Sequence, residues 1–233
     1  MAPSDPGNRY IPALRFQVLT RFYDRLVAAT LKEDKLRRTL IEQADVRPGH
    51  RVLDLGCGTG TFAVMLKRAV PLAEVVGLDL DPEVLAIAER KARDAGVEVA
   101  FLEGPATEPP FQDGTFDRVT STFVFHHLSR ADKLRALGRA RALLRSGGEL
   151  HVADWGAPQN LAMRVAFLGV QLLDGFETTA DSVEGVLPLL MEQAGFSRVR
   201  ETRREMTVFG TLALYRAVAA PPGGKSGPSS SPG

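Results

Sequence analysis

A chain of 233 residues, 44% hydrophobic and 24% charged, holds enough apolar material for one α/β domain with a buried sheet. Its formal net charge of +1 provides no field to gather polyanions, so nucleic acid is not an expected partner. The single cysteine, Cys57, excludes an intramolecular disulfide and a cysteine-built zinc site, and no metal is expected.

Residues 1–8, rich in Pro, Ser, Asp and Gly, read as a disordered start without the basic-then-apolar pattern of a secretory signal. Pro12 to Ala28 carries Leu14, Phe16, Leu19, Phe22, Tyr23 and Leu26 at helical spacing. A second helix is predicted over Glu33 to Gln43. RVLDLG (from Arg51) then reads as a buried strand closed by Gly56, Gly58 and Gly60, with a helix following over Thr61 to Ala69. EVVGLDL (from Glu74) is the second strand. Asp81-Pro82 opens the next helix as an N-cap carboxylate followed by proline, and Gly96 closes it. The third strand is VEVAFLEG (from Val97), the fourth FDRVTSTF (from Phe116) and the fifth ELHVADW (from Glu149). A helix over Arg130 to Leu144, ended by Ser146-Gly147-Gly148, joins the last two. Repeated strand-helix alternation predicts a parallel, doubly wound sheet.

Two helical segments follow, Leu161 to Leu173 and Asp181 to Ala194, and then two strands, SRVRETRREMT (from Ser197) and GTLALYRAV (from Gly210). The short link between these strands predicts an antiparallel hairpin. The apolar stretch Leu161 to Leu173 is broken by Arg164 and Gln171 and falls short of the roughly 20 residues that cross a bilayer. Residues 220–233 read as a disordered tail. Stable membrane insertion is not expected, and the default compartment is the cytoplasm.

The loop Asp54-Leu55-Gly56-Cys57-Gly58-Thr59-Gly60 sits between a strand and a helix. Glycines there permit positive φ and close approach of backbone to a ligand, and the helix N-terminus behind them offers amides. The alternative is a tight turn with no ligand. A dinucleotide fingerprint needs its third glycine at position 61, which is Thr61, and no GxxxxGK[ST] loop exists. Asp79 ends the second strand on the same edge. It is either a partner for both ribose hydroxyls of an adenosine ligand or a solvated strand-end acid.

VLDLGCGTG, VVGLDLDPEVL, FDRVTSTFVFHHL and LLRSGGELHVADW, in that order, resemble the successive motifs of class I S-adenosylmethionine (SAM)-dependent methyltransferases. The resemblance spans roughly Tyr10 to Val218 and is nearest to the small-molecule branch typified by ubiquinone/menaquinone-biosynthesis enzymes. It implies a Rossmann-like α/β fold with a seven-stranded sheet of order 3-2-1-4-5-7-6, strand 7 antiparallel, and helices on both faces. One methyltransferase domain over 9–219 is implied: lid helices over 9–45, a cofactor-binding core over 51–155, helices and acceptor pocket over 160–196, and a terminal hairpin over 197–218. The implied cofactor is SAM. By the resemblance Asp54 receives its ammonium group and the loop of Gly56, Cys57, Gly58, Thr59 and Gly60 lines its path. Asp79 holds the ribose, Leu80 packs on the adenine, and the Ala106 amide reaches the ring. Thr122 lies near the methionine part, and Tyr23 contacts the cofactor from the lid. The family's Gly-Asp-Ala is here Gly104-Pro105-Ala106, which removes one adenine contact and predicts weaker binding, or rescue by Glu103.

Methyl transfer from a sulfonium needs alignment and exclusion of water, with a base only where the acceptor must lose a proton. His126 and His127 follow the fourth strand at the ligand edge. One of them acts as base or orients the acceptor, or both are ordinary loop residues. Asp154, at the end of the fifth strand, hydrogen-bonds an acceptor or braces the loop. The expected partner is a small-molecule methyl acceptor, with the oligomeric state open. Other readings are a SAM-binding regulator or inactive homologue, a protein or RNA methyltransferase, and a nicotinamide-dependent reductase.

Overall fold

The computed structural model describes residues 33–156, 185–206 and 211–219; the expected helix over Pro12 to Ala28, the segment Leu161 to Leu173 and both tails lie outside them. The chain enters on α1 (Glu33–Ala44), whose Leu36 and Leu40, one turn apart, are both buried. β1 (Arg51–Leu55) follows, buried on both faces as the central strand of a parallel sheet must be. Then come α2 (Thr61–Ala69), β2 (Glu74–Asp79), α3 (Pro82–Asp94), β3 (Ala100–Glu103) and β4 (Phe116–Thr122). A 3₁₀ turn at Phe125–His127 leads into α4 (Arg130–Leu143), β5 (Leu144–Gly156), α5 (Leu187–Gln193), β6 (Phe196–Met206) and β7 (Thr211–Ala219).

The strands form one sheet in the order β3-β2-β1-β4-β5-β7-β6, the order the sequence resemblance implied. β3, β2, β1, β4 and β5 run parallel, and β7 runs antiparallel to both β5 and β6. Each face has its own core. Leu53, Leu55, Val119, Leu150 and Val152 meet α4 and α5 on one side; Val52, Val75 and Trp155 meet α1 and α2 on the other. Among the described residues, no helix is long and apolar enough to cross a membrane.

Local chemistry explains the boundaries that agree with expectation. The Asp81 carboxylate accepts from the Glu83 amide at 2.8 Å, Pro82 opens α3, and Gly96 beyond its end has φ of 66°. Three boundaries differ. Leu144 leaves α4 to pair with Phe116, so the Ser146-Gly147-Gly148 segment belongs to β5 instead of ending a helix. The ladder shifts between Phe116 and Arg118, and Gly147, at φ of 77°, lets the extra residues bulge. β3 begins only at Ala100, where pairing with Val76 starts. The described part of the helix expected over Asp181 to Ala194 is the shorter α5.

Register sets the level of each functional group. Asp54 lies beside Thr120, Thr120 beside His151, and His151 beside Arg216, so all four point to one face. α1 runs down this face toward the start of β1. Its Ala44 carbonyl accepts from Arg118 Nε at 2.7 Å, and Gln43 Nε2 lies 3.1 Å from His151 Nδ1. His151, in the middle of β5, is fully buried, with Nε2 3.0 Å from Glu149 Oε2.

Candidate active site

The loop from β1 into α2 turns on three glycines of positive φ, and what surrounds each is different. A Cβ on Gly56 (φ 70°) would meet Val124 Cγ2 at 2.3 Å, and one on Gly60 (φ 70°) would meet Ala88 Cβ at 2.7 Å. Those two are required by packing. At Gly58 (φ 51°) the space beyond Cα is open, which is where a ligand can approach the backbone. The Cys57 side chain faces inward against Gly77, and burial pushes its thiol pKa up, so only its backbone faces the loop's outer side. Thr59 is held from behind: Lys91 Nζ donates to its Oγ1 at 2.9 Å and to Thr61 Oγ1 at 2.6 Å. Lys91 lies beyond α2 and β2, near the end of α3, so no local pattern signals it.

The amides expected to be open to a ligand are used differently. Gly56 and Cys57 both donate to the Leu78 carbonyl, at 2.8 and 2.9 Å, and Gly58 donates to Asp79 Oδ2 at 2.7 Å. A pyrophosphate would have to displace these bonds. The turn is therefore no phosphate cradle, in keeping with Thr61 standing where a dinucleotide fingerprint needs glycine.

Two carboxylates dominate the crevice. Asp54 is fully buried; Oδ1 accepts from Thr120 Oγ1 at 3.2 Å, while Oδ2 has no hydrogen-bond partner. Burial raises its pKa to about 7, opposed by the Thr120 hydroxyl and reinforced by the Asp79 charge. Asp79, half-buried at the end of β2, accepts from the amides of Gly58 (Oδ2) and Asp81 (Oδ1, 3.1 Å). Burial raises its carboxyl against the lowering effect of those amides. Each oxygen keeps a second lone pair for a ribose hydroxyl. Leu80, next in the chain, is 42% exposed, as a side chain awaiting a flat apolar partner would be. Ala106 is partly buried against the core, Pro105 is exposed, and half-buried Thr122 ends β4. Tyr23 lies outside the described residues.

An orphaned buried carboxylate oxygen, an open glycine and an exposed leucine in sequence along one sheet edge fit the ammonium, the sulfonium chain and the adenine of SAM. The negative character of the crevice suits a cationic ligand.

The three residues expected near the acceptor separate. His126 and Asp154 come together: ring Nδ1 lies 2.7 Å from Asp154 Oδ1, and both side chains are buried. Asp154 also accepts from the amides of Trp155 (Oδ1, 2.7 Å), Phe125 (Oδ2, 2.8 Å) and His126 (Oδ2, 3.4 Å). Burial alone would raise its pKa; the His126 imidazole and these hydrogen bonds outweigh that and lower it. With the carboxylate ionised, Nδ1 must be the protonated nitrogen, and the lone pair of the neutral ring sits on Nε2. His127 is exposed, its ring 3.9 Å from that of His126. His126 and Asp154 line a small cavity with Phe125, Lys133, Trp155, Leu187 and Leu190. Phe123 holds φ at 59°, a strained conformation for a bulky residue, and its ring lies 6.2 Å from Trp155.

The chain is similar to known methyltransferases. A family model described as a methyltransferase domain matches residues 52–148. The chain is 40% identical over 197 residues to a demethylmenaquinone methyltransferase of Thermus thermophilus, covering 77% of this chain and 87% of that one. It is 30% identical to a ubiquinone/menaquinone biosynthesis C-methyltransferase, UbiE, of Shewanella halifaxensis, covering 77% and 78%. Among solved structures, the YcgJ protein of Bacillus subtilis superposes with a TM-score of 0.66 at 19% identity, covering 79% of this chain and 98% of that one. A SAM-dependent methyltransferase from Aquifex aeolicus gives 0.61 at 22% identity, covering 79% and 89%.

Proposed function

The chain belongs to the class I SAM-dependent methyltransferases of the quinone-biosynthesis type, and on that premise we propose that it methylates a ring carbon of a small quinol. SAM, when bound, supplies a methyl group made electrophilic by its sulfonium. Such a methyl is taken up only by an electron-rich atom, so the acceptor is the reduced, hydroxyl-bearing ring and not the quinone. Loss of the hydroxyl proton places electron density on the neighbouring ring carbon. That carbon forms the new bond as the carbon–sulfur pair returns to sulfur, and the ring proton then leaves to restore aromaticity.

The observation that carries this reading is the buried His126–Asp154 pair at 2.7 Å. Asp154 fixes the imidazole as the Nδ1–H tautomer, and Nε2 accepts the hydroxyl proton. Trp155 and Phe123 wall the edge with apolar surface that excludes water. We assign residues 160–196 to the acceptor pocket; the described part contributes Leu187 and Leu190 beside His126. Residues 9–45, with Tyr23, close over the cofactor in this reading, and Asp54, Gly58, Asp79, Leu80, Ala106 and Thr122 hold it. We place the reaction in the cytoplasm, on a small molecule and not on nucleic acid.

The test is steady-state turnover with a short-chain 2-prenyl-1,4-naphthoquinol kept reduced, alongside catechol, amine and fatty-acid acceptors. His126→Gln should lower kcat by about 100-fold or more, with SAM affinity unchanged. Unaltered kcat would remove His126 from the mechanism, and turnover of catechol but not quinol would overturn the acceptor class.

A further inference from the structure

A 1,4-quinol presents two oxygens, and the His126–Asp154 pair meets only one of them. His126 takes the proton of the hydroxyl beside the methylated carbon. The oxygen across the ring needs a partner of its own, because a ring held at one point can turn and offer a different atom to the methyl group.

The row of β5 and β7 that carries Asp154 brings hydroxyls to that place. Val152 pairs with Tyr215, Asp154 with Ala213 and Gly156 with Thr211, so Asp154, Thr211 and Tyr215 point to one face, where Leu187 and Leu190 pack. β7 runs antiparallel to β5, and its first residue, Thr211, therefore stands at the ligand edge where β5 ends. Thr211 is 1% exposed, and its Oγ1 has no hydrogen-bond partner among the described residues. A buried hydroxyl left unpaired is costly and points to a ligand group that completes it. Tyr215 reaches the same spot. A Cβ on Gly156 would lie 3.3 Å from Tyr215 Oη, 3.8 Å from Thr211 Cγ2 and 2.8 Å from Ala213 Cβ, so any larger residue there would intrude between the two side chains. Burial raises the Tyr215 phenol pKa, reinforced by the charges of Glu201 and Asp154, which keeps it a hydrogen-bond donor. Two strand residues, about 7 Å, separate the level of Asp154 from that of Thr211. That is the scale of one aromatic ring with an oxygen at either end.

We propose that Thr211 and Tyr215 form a second oxygen-binding point of the acceptor site, holding the far hydroxyl of the quinol while His126 engages the near one. This rests on the quinol reading of the site. The Tyr215 phenol donates to the far oxygen, and that oxygen's own proton is donated to Thr211 Oγ1. Held at both ends, the ring turns its edge and not an oxygen toward the sulfonium methyl. The same two contacts make the site select a ring with two oxygens over a ring with one.

The test is kcat/KM of the full chain, of Thr211→Val and of Tyr215→Phe on two acceptors. One is a short-chain 2-prenyl-1,4-naphthoquinol kept reduced. The other is 3-prenyl-1-naphthol, which keeps the hydroxyl beside the methylated carbon and lacks the far one. Each variant should cut the preference for the quinol by about 10-fold, by lowering quinol turnover, with calorimetric SAM affinity unchanged. Thr211→Val removes an unpaired hydroxyl while keeping its shape, so its melting temperature should not fall; a fall would assign the hydroxyl to the fold and overturn the proposal. A preference left unaltered in both variants, whether both acceptors lose equally or neither loses, would show that these side chains only pack the sheet, and overturns it as well. Turnover of neither acceptor by the unaltered chain with SAM bound would overturn the quinol reading itself, and the second point with it.

Discussion

Replacing Asp154 with asparagine should cost far more than its conservative appearance suggests. Four donors converge on the carboxylate: the His126 ring and the Trp155 amide on Oδ1, and the Phe125 and His126 amides on Oδ2. Asparagine has one carbonyl oxygen: with its NH₂ in the Oδ2 place it faces two amide N–H groups, and with its NH₂ in the Oδ1 place it faces the Trp155 amide and forces the His126 ring into its other tautomer. At least one buried hydrogen bond to an ionised acceptor is lost, worth about 1.5–3 kcal/mol, or the wrong tautomer is imposed on His126 as well. For a chain of this size the melting temperature should fall by roughly 4 °C or more. Urea denaturation followed by circular dichroism gives the free energy directly. A loss below about 1 kcal/mol would refute the view that the Asp154 network holds the 3₁₀ turn in place. The acid dependence has a defined sign. The folded pKa is depressed, so this contribution is present above the unfolded value and disappears as pH falls through the lower, folded one.

Binding of SAM should depend on pH through Asp54. With the free carboxyl at about 7 and the ammonium favouring its ionised form, calorimetric affinity should be flat above neutrality and weaken about tenfold per pH unit well below it; a constant dissociation constant from pH 5.5 to 8 would contradict this. The loop glycines should divide by role. Gly60→Ala, with its Cβ 2.7 Å from Ala88 and φ of 70°, should cost at least about 2 kcal/mol of stability. Gly58→Ala, facing open space, should cost only about 1–2 kcal/mol yet weaken SAM binding more than Gly60→Ala does at equal folded fraction. Pro105→Asp, at an exposed position beside the end of β3, should tighten SAM binding, and an unchanged affinity would show that no adenine contact is missing.

The parts of this molecule legible in its sequence are those fixed by short-range chemistry or by a shared motif. Asp81-Pro82 announces a helix start because cap and first turn are neighbours, and Thr61 at the third-glycine position excludes a dinucleotide loop without any structure. The seven-strand order came from the family resemblance, since nothing in the local pattern of β6 and β7 dictates that β7 inserts beside β5. What stayed hidden depends on groups distant in the chain. The Ser146-Gly147-Gly148 segment reads as a turn; only the pairing of Leu144 with Phe116 makes it a bulged part of β5. His126 and His127 are indistinguishable as letters, and it is Asp154, one strand away, that selects His126. The occupied loop amides and Lys91 behind Thr59 follow from the crossing of β2 and α3 past the loop, which no spacing rule encodes.

The central claim is that this sheet edge carries a methyl group from SAM to a quinol carbon. Incubation of the purified chain with methyl-deuterated SAM and a reduced 2-prenyl-1,4-naphthoquinol, followed by mass spectrometry and proton NMR of the extracted ring, tests it most directly. The account predicts a deuterated methyl on the ring carbon and loss of the single ring proton next to the hydroxyl-bearing carbon. A deuterated methoxy group, or S-adenosylhomocysteine released with the ring unlabelled, would contradict it.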